Sequence, residues 1–223
     1  RTFNHPKINV ETLGKLFLEI GYEAKGDYEF TDKKLDAVHY EHPSGEWPLV
    51  FISELRLEDF SQELQDTING LIDQVDAEAV KSHEFLWSGV NWERTSHETY
   101  LKLLEESEYA AWTSAFGFRA NHFTIQVNGL KNFDIRQLNE FIKENGYPMN
   151  TSGGEVKGSA EKFLEQSSTL AAKTDVAFSD KVAEVPCCYY EFAERFPLPN
   201  GELFQGFVAS SADKIFESTN VKN

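Results

Sequence analysis

The chain has 223 residues, 40% of them hydrophobic, with 18 Phe, 8 Tyr and 4 Trp, enough apolar mass for a folded core and too much for a disordered chain. Its formal net charge of −16 excludes nucleic acid and anionic membrane surfaces as natural partners, because both demand a basic face. No apolar run reaches about 18 residues and no signal-like start is present, so a soluble cytoplasmic protein is expected; Cys187 and Cys188, adjacent and therefore facing opposite sides of an extended strand, argue against a structural disulfide between them and for a reducing compartment.

In chain order, INVETLGKLFLEIG (8–21) places Val10, Leu13, Leu16, Phe17 and Ile20 on one helical stripe, with Asn9 as N-cap and Gly21 as stop. YEAKGDYEF (22–30), LDAVHYEH (35–42) and PLVFISEL (48–55) read as three strands, the last two joined by a turn. From 58 to 117 helical spacing takes over, in SQELQDTINGLIDQV behind a Ser61 cap and in HETYLKLLEESEYAAW, which together form a helical insertion. A strand pattern returns over 119–128, and NFDIRQLNEFIKENGY (132–147) is again a helix ending in Gly-Tyr. TSGGEVKGSAEKFLEQSS (151–168) reads as loop and helix, TDVAFSD (174–180) and EVPCCYYEFAERF (184–196) as strands, and ELFQGFVASSADKIFEST (202–219) closes the chain.

The two helices repeat. Gly146-Tyr147 lies 125 residues after Gly21-Tyr22, and at that offset Asp134 falls on Asn9, Ile135 on Val10, Leu138 on Leu13, Phe141 on Leu16 and Ile142 on Phe17. Cap, stripe and terminator recur together. Strand, helix and three strands, repeated, define an α+β architecture of paired βαβββ modules whose sheets curve into a common cup, in one domain: module one over 1–57, the insertion over 58–117, module two over 118–223.

The strand 119–128 alternates. His122, Thr124, Gln126 and Asn128 share one face, Phe123, Ile125 and Val127 the other. A lone strand histidine is ordinarily a hydrogen-bonded structural residue, but a polar row makes sense where a sheet lines a site. In EVPCCYYEFAERF, period 2 places Cys187, Tyr189, Glu191, Ala193 and Arg195 on one face; Glu194, on the other, is an exposed acid or a flanking ion-pair partner. Glu191, flanked by aromatic residues, is costly to bury as an anion without a cation, either a metal or an arginine. Two imidazoles and one carboxylate form the facial set that leaves positions open at a non-heme Fe(II) centre. His122 and Glu191 supply two of the three. The repeat places the counterpart of His122 at position −3, before Arg1, and sets Arg1 opposite Gln126; the third ligand is thus expected to be a histidine upstream of Arg1. His5, beside Pro6, suits a loop, and His39 and His42 flank a turn on opposite strand faces, as do structural residues. Phe123, Tyr189 and Tyr190 are candidate walls or core residues.

RANHFTIQVN (119–128), CCYYEFAERFPLPNGELFQGF (187–207) and SSADKIFEST (210–219) together resemble the 2-oxoadipate dioxygenase/decarboxylase family, the D-2-hydroxyglutarate synthase-like branch of the vicinal oxygen chelate superfamily. The resemblance implies Fe(II) held by two His and one Glu, with His122 as the second histidine and Glu191 as the carboxylate. It implies a first-module His-x-x-x-Arg motif in which Arg1 is the arginine that holds a substrate carboxylate, and substrate contacts from Ser210 and Ser211. The reaction it implies takes 2-oxoadipate and O2 to 2-hydroxyglutarate and CO2. The residues alone leave two alternatives open: another divalent-metal hydrolase, lyase or isomerase of the same fold, or a non-catalytic small-molecule binder.

Overall fold

The computed structural model describes Arg1 to Thr219, apart from the side chains of Ala209, Ser210 and Asp213. It comprises two compact units, residues 1–120 with 175–184 and residues 121–174 with 185–223. No helix among the described residues is long and apolar enough to cross a membrane.

In the first unit β1 (Thr2–Phe3) leads to α1 (Val10–Leu18), then to β2 (Glu23–Phe30), β3 (Leu35–Glu41) and β4 (Val50–Leu55). The Asn9 side chain accepts the Thr12 backbone N–H at 2.8 Å, satisfying one of the orphan donors that begin a helix. Gly21, at φ +96°, reverses the chain after α1 while Tyr22 N–H reaches back to the Phe17 carbonyl, as expected of a glycine terminator. The sheet runs β1-β4-β3-β2, with β1 parallel to β4 and the remaining pairs antiparallel.

The insertion supplies α2 (Gln62–Asp73), α3 (His97–Glu106) and α4 (Glu108–Phe116). Ser61 caps α2 as expected. The stretch 97–112 is two helices rather than one: Ser107 leaves helical geometry at φ −149°, ψ 108°, and its side chain accepts the Ala110 N–H to start α4. Every residue of α4 from Tyr109 to Phe116 is buried, so the helix passes through the interior of its unit.

The second unit repeats the first. β5 (His122–Gln126) and α5 (Ile135–Glu144) are followed by β6 (Lys157–Ser159) and β7 (Leu164–Ser168); after the hairpin of β8 (Lys173–Ala177) and β9 (Val182–Pro186), of which residues 175–184 belong to the first unit, come β10 (Tyr189–Arg195) and α6 (Ala209–Phe216). The sheet order β5-β10-β7-β6, with β5 parallel to β10, matches β1-β4-β3-β2 strand for strand. Paired βαβββ modules are therefore the architecture, and at offset 125 the Val10/Ile135 and Leu13/Leu138 pairs are buried alike, whereas Phe141 is 48% exposed where Leu16 is buried. Asp134 caps α5 through Gln137 N–H as Asn9 caps α1, and Gly146 has φ +86°.

Three local expectations are corrected. Residues 151–168 form β6 and β7 rather than loop and helix, because the polar run EQSS is paired in the middle of a sheet with β10 and lacks the apolar alternation that marks a half-exposed strand. The strand begun at His122 ends at Gln126, where residues 127–129 turn and the Asn128 amide replaces the ladder by bonding both the N–H and the carbonyl of Arg195. Cys187 and Cys188 do not face opposite sides: Ala172 exchanges backbone hydrogen bonds with Cys187 N–H and Cys188 C=O, so two residues stand opposite one, a β-bulge, and the thiols meet at 3.5 Å. Neither cysteine is in a disulfide.

Candidate metal and substrate site

β10 is a central strand, and its two faces have different neighbours. Phe192 turns into a core of Val127, Ile135, Leu138 and Met149, the helix side of the sheet. Glu191 therefore faces the opposite side with its register partners Thr124 on β5 and Ser168 on β7, and with Tyr189 beside His122. Ile125 packs with Phe192, which leaves His122, Thr124 and Gln126 on the Glu191 side, as alternation demands.

On that face His122 Nε2 lies 3.3 Å from Glu191 Oε2, with the carboxylate side chain only 4% exposed. The residue facing Glu191 is thus a histidine, not the arginine that was the other candidate. The Tyr189 ring stacks on the imidazole at 4.7 Å and 15° and sets its plane. His122 Nδ1 stands 3.2 Å from Asn121 Oδ1; in the tautomer with the hydrogen on Nδ1 that oxygen accepts it, and Nε2 then turns its lone pair toward Glu191. In that tautomer the two lone-pair donors need a cation between them, a metal ion or the Nε2 proton of an imidazolium. Adjacent ligands on one ion, each bonded at about 2.1 Å, sit about 3 Å apart, so the pair fits a metal.

Gln166, on β7 and 1% exposed, donates from Nε2 to Glu191 Oε1 at 2.5 Å. The opposite amide orientation would press two acceptors together, which fixes the Gln166 carbonyl away from Glu191. That Oε1 is buried without a hydrogen-bond partner, as is Asn121 Nδ2. Both belong to side chains that grip a proposed ligand from behind. Sequence reading missed both: in a strand over 119–128 alternation puts Asn121 on the face opposite His122, whereas the observed strand starts only at His122, and Gln166 lies in the stretch read as loop and helix. Among the described residues no third His, Cys, Asp or Glu joins the pair.

The other expected residues are placed as follows. Arg1, in the first unit, is pinned by Glu108 at 2.8 Å and lies over the rings of Tyr109 and Trp112 at 4.8 and 5.0 Å. Ser211, in the second, is buried beside β6, where a side chain on Gly158 would meet its hydroxyl at 3.3 Å. The Ser210 side chain lies outside the described residues. Glu194 is neither a free acid nor an ion-pair partner of the site: it accepts the Ile135 N–H at 2.9 Å and anchors the start of α5. Phe123 and Tyr190 form no wall of this site, since they point away from it and are 65% and 52% exposed. His5 accepts from Lys7 N–H, and His39 is held at both nitrogens by Tyr28 and Glu41. An open cleft of about 330 Å³ in the first unit is lined by Asp27, Glu29, Asp36 and Glu54, a negative wall unsuited to a dicarboxylate.

The family model for 2-oxoadipate dioxygenase/decarboxylase matches residues 6–204. The chain belongs to that family. A chloroplastic 2-oxoadipate dioxygenase/decarboxylase of Arabidopsis thaliana is 36% identical over 98% of this chain, and the chain spans 66% of that relative's length. Among solved structures of similar proteins, the hydroxyglutarate synthase of Oryza sativa in complex with 2-oxoadipate superposes with a TM-score of 0.89 at 33% identity, covering 100% of this chain and 79% of that one. A protein of Shewanella frigidimarina, named as a candidate hydrolase, superposes with a TM-score of 0.90 at 53% identity over 94% of this chain and 82% of its own.

Proposed function

We propose that the chain is an Fe(II)-dependent dioxygenase/decarboxylase that converts 2-oxoadipate and O2 into 2-hydroxyglutarate and CO2. The observation that carries this reading is the His122 Nε2–Glu191 Oε2 pair, 3.3 Å apart, buried and preset by Asn121 and Gln166. The names and the bound 2-oxoadipate of the relatives support the choice of substrate. The third ligand in this reading is a histidine four residues before Arg1.

Bound iron would supply the redox chemistry that couples O2 to loss of the carboxylate. The chain's own residues do the rest. Asn121 keeps the His122 proton on Nδ1, Tyr189 holds the ring plane, and Gln166 holds Glu191 Oε1 so that Oε2 remains the donor. The Gln166 carbonyl is left to accept from water or from the product's hydroxyl. Arg1 is assigned the distal carboxylate on the resemblance alone, a group that a guanidinium fork matches with two parallel hydrogen bonds; Glu108, Tyr109 and Trp112 hold its side chain within the first unit. Ser211 is assigned a substrate contact from α6, and Ser210 joins it on the resemblance alone. A hydrolytic member of the same fold is the second reading, favoured by the name of the Shewanella protein.

Oxygen uptake separates them. The chain carrying its upstream residues, loaded with Fe(II) anaerobically and mixed with 2-oxoadipate, is expected to consume one O2 for each CO2 and each 2-hydroxyglutarate formed. An iron-loaded sample that takes up no O2 ends the dioxygenase reading, and ester or amide turnover by the same sample would install the hydrolase.

A further inference from the structure

We infer that Cys187 and Cys188 form an oxidisable dithiol, a modification site for hydroperoxides whose closure disturbs the His122–Glu191 site. The β-bulge opposite Ala172 holds both sulfurs on one side, 3.5 Å apart, each half-buried and neither in a disulfide. That is contact distance for two sulfurs and close enough for the second to capture an oxidised first before another reagent arrives. The pair directly precedes Tyr189, the buried residue that stacks on His122 at 4.7 Å and begins the β10–β5 ladder, and Glu191 follows two residues later.

The chemistry balances with a hydroperoxide as the oxidant. One thiolate sulfur attacks the peroxide, the O–O bond breaks, and the sulfur becomes a sulfenic acid while an alcohol, or water from hydrogen peroxide, leaves. The neighbouring thiol sulfur then attacks the sulfenic sulfur, the S–S bond forms, and water leaves with the hydroxyl and the thiol proton. Two thiols are oxidised by two electrons and the peroxide is reduced by two. Adjacent Cα atoms are about 3.8 Å apart, shorter than the span of ordinary disulfides, so closure requires the backbone at 187–188 to move. Tyr189 is one peptide bond away, with its ring packed against His122. The movement is therefore delivered to the imidazole, loosening the stack that sets its plane. The effect on metal and substrate rests on the proposed function; the thiol chemistry and the displacement of His122 do not.

The test uses the full chain, reduced and then treated with stoichiometric hydrogen peroxide. Both thiols are expected to disappear together in a thiol titration, the peptide containing them to become lighter by two hydrogens, and the His122 ring signals in the NMR spectrum to shift. Dithiothreitol restores all three. Cys187→Ser and Cys188→Ser variants, which cannot close, keep their His122 signals through the same treatment. Oxygen uptake with 2-oxoadipate is expected to fall at least tenfold on oxidation and to return on reduction after fresh Fe(II), while the double serine variant loses none once reloaded. Oxygen addition to a single sulfur, linkage between two chains, or a disulfide that leaves the His122 signals unmoved would each overturn the inference. If thiols, mass and His122 signals behave as expected but no uptake exists before or after, the proposed reaction fails and the dithiol stands.

Discussion

Glu54 and Glu194 do the same work in the two modules. Each sits near the end of its strand and accepts the N–H of the first residue of its module's helix, Val10 at 2.7 Å and Ile135 at 2.9 Å. Taking these two as equivalent, strand register matches the remaining positions. Phe51 stands where Glu191 stands, Ala37 where Gln166 stands, and His39 where Ser168 stands. Arg1 takes the place of Gln126. Helix-side positions are duplicated because every βαβββ unit must start its helix, stop it and seat it on the sheet. Opposite-face positions are not, and among the described residues only the second sheet has a buried carboxylate facing an imidazole. His39 in the first sheet has both nitrogens engaged, by the Tyr28 hydroxyl and by Glu41, each at 2.9 Å, so it is a structural histidine with no lone pair to offer.

The most severe way to break this asymmetry is to remove the pair. His122→Ala or Glu191→Ala is expected to raise the dissociation constant for Fe(II) by at least ~100-fold, beyond what loss of a supporting residue does, and to abolish oxygen uptake with 2-oxoadipate. His39→Gln, at the matching place in the first sheet, is expected to keep metal affinity within a few fold. Anaerobic titration calorimetry reads both, and a His39 variant that loses metal as His122→Ala does would end the claim that the second sheet alone carries the pair.

Next in size is a contrast between neighbours on one strand. Phe192→Ala opens a cavity among Val127, Ile135, Leu138 and Met149 and is expected to cost about 3–5 kcal/mol in urea unfolding. Glu191→Gln, one residue away on the other face, keeps its shape and sheds a buried charge, so its stability should stay within about 1 kcal/mol of the parent. Large losses at both positions would mean that the site face also holds the sheet together.

Gln166→Leu comes third. Removing the amide frees the Glu191 carboxylate to rotate, and metal affinity should fall about 10–100-fold with the fold intact, the usual cost of losing a group that orients a ligand. Gln166 also marks the limit of sequence reading here. His122 and Glu191 were legible because alternation works in β5 and β10, whose helix-side faces are apolar, and because the helix repeat supplied a register. β7 reads Leu-Glu-Gln-Ser-Ser and is buried at every position, so its polar side chains are satisfied by partners remote in sequence rather than by water: Glu165 by Arg136, Gln166 by Glu191, Ser167 by Asn139 and Ser168 by Ser218. No local pattern encodes such partners. The Cys187–Cys188 bulge escaped for the same reason, since a bulge suspends the two-residue period from which strand faces are read.

The smallest effects test the duplicated half of the comparison. Asn9→Ala and Asp134→Ala each remove a helix N-cap, at a cost of about 1 kcal/mol. Asp134 should cost somewhat more, because it forms a capping box with Gln137 and adds a negative charge at the positive end of α5. The two caps share no hydrogen-bond partner, so in the double variant the losses should add to within about 0.5 kcal/mol. Thermal unfolding of the two single variants and the double decides it. Losses at both caps that add in the double variant mean the modules use one solution twice, independently. A cap that costs nothing in one module would show that its helix is held by packing on the sheet instead, and the symmetry of the repeat would then be one of form without equal energetic weight.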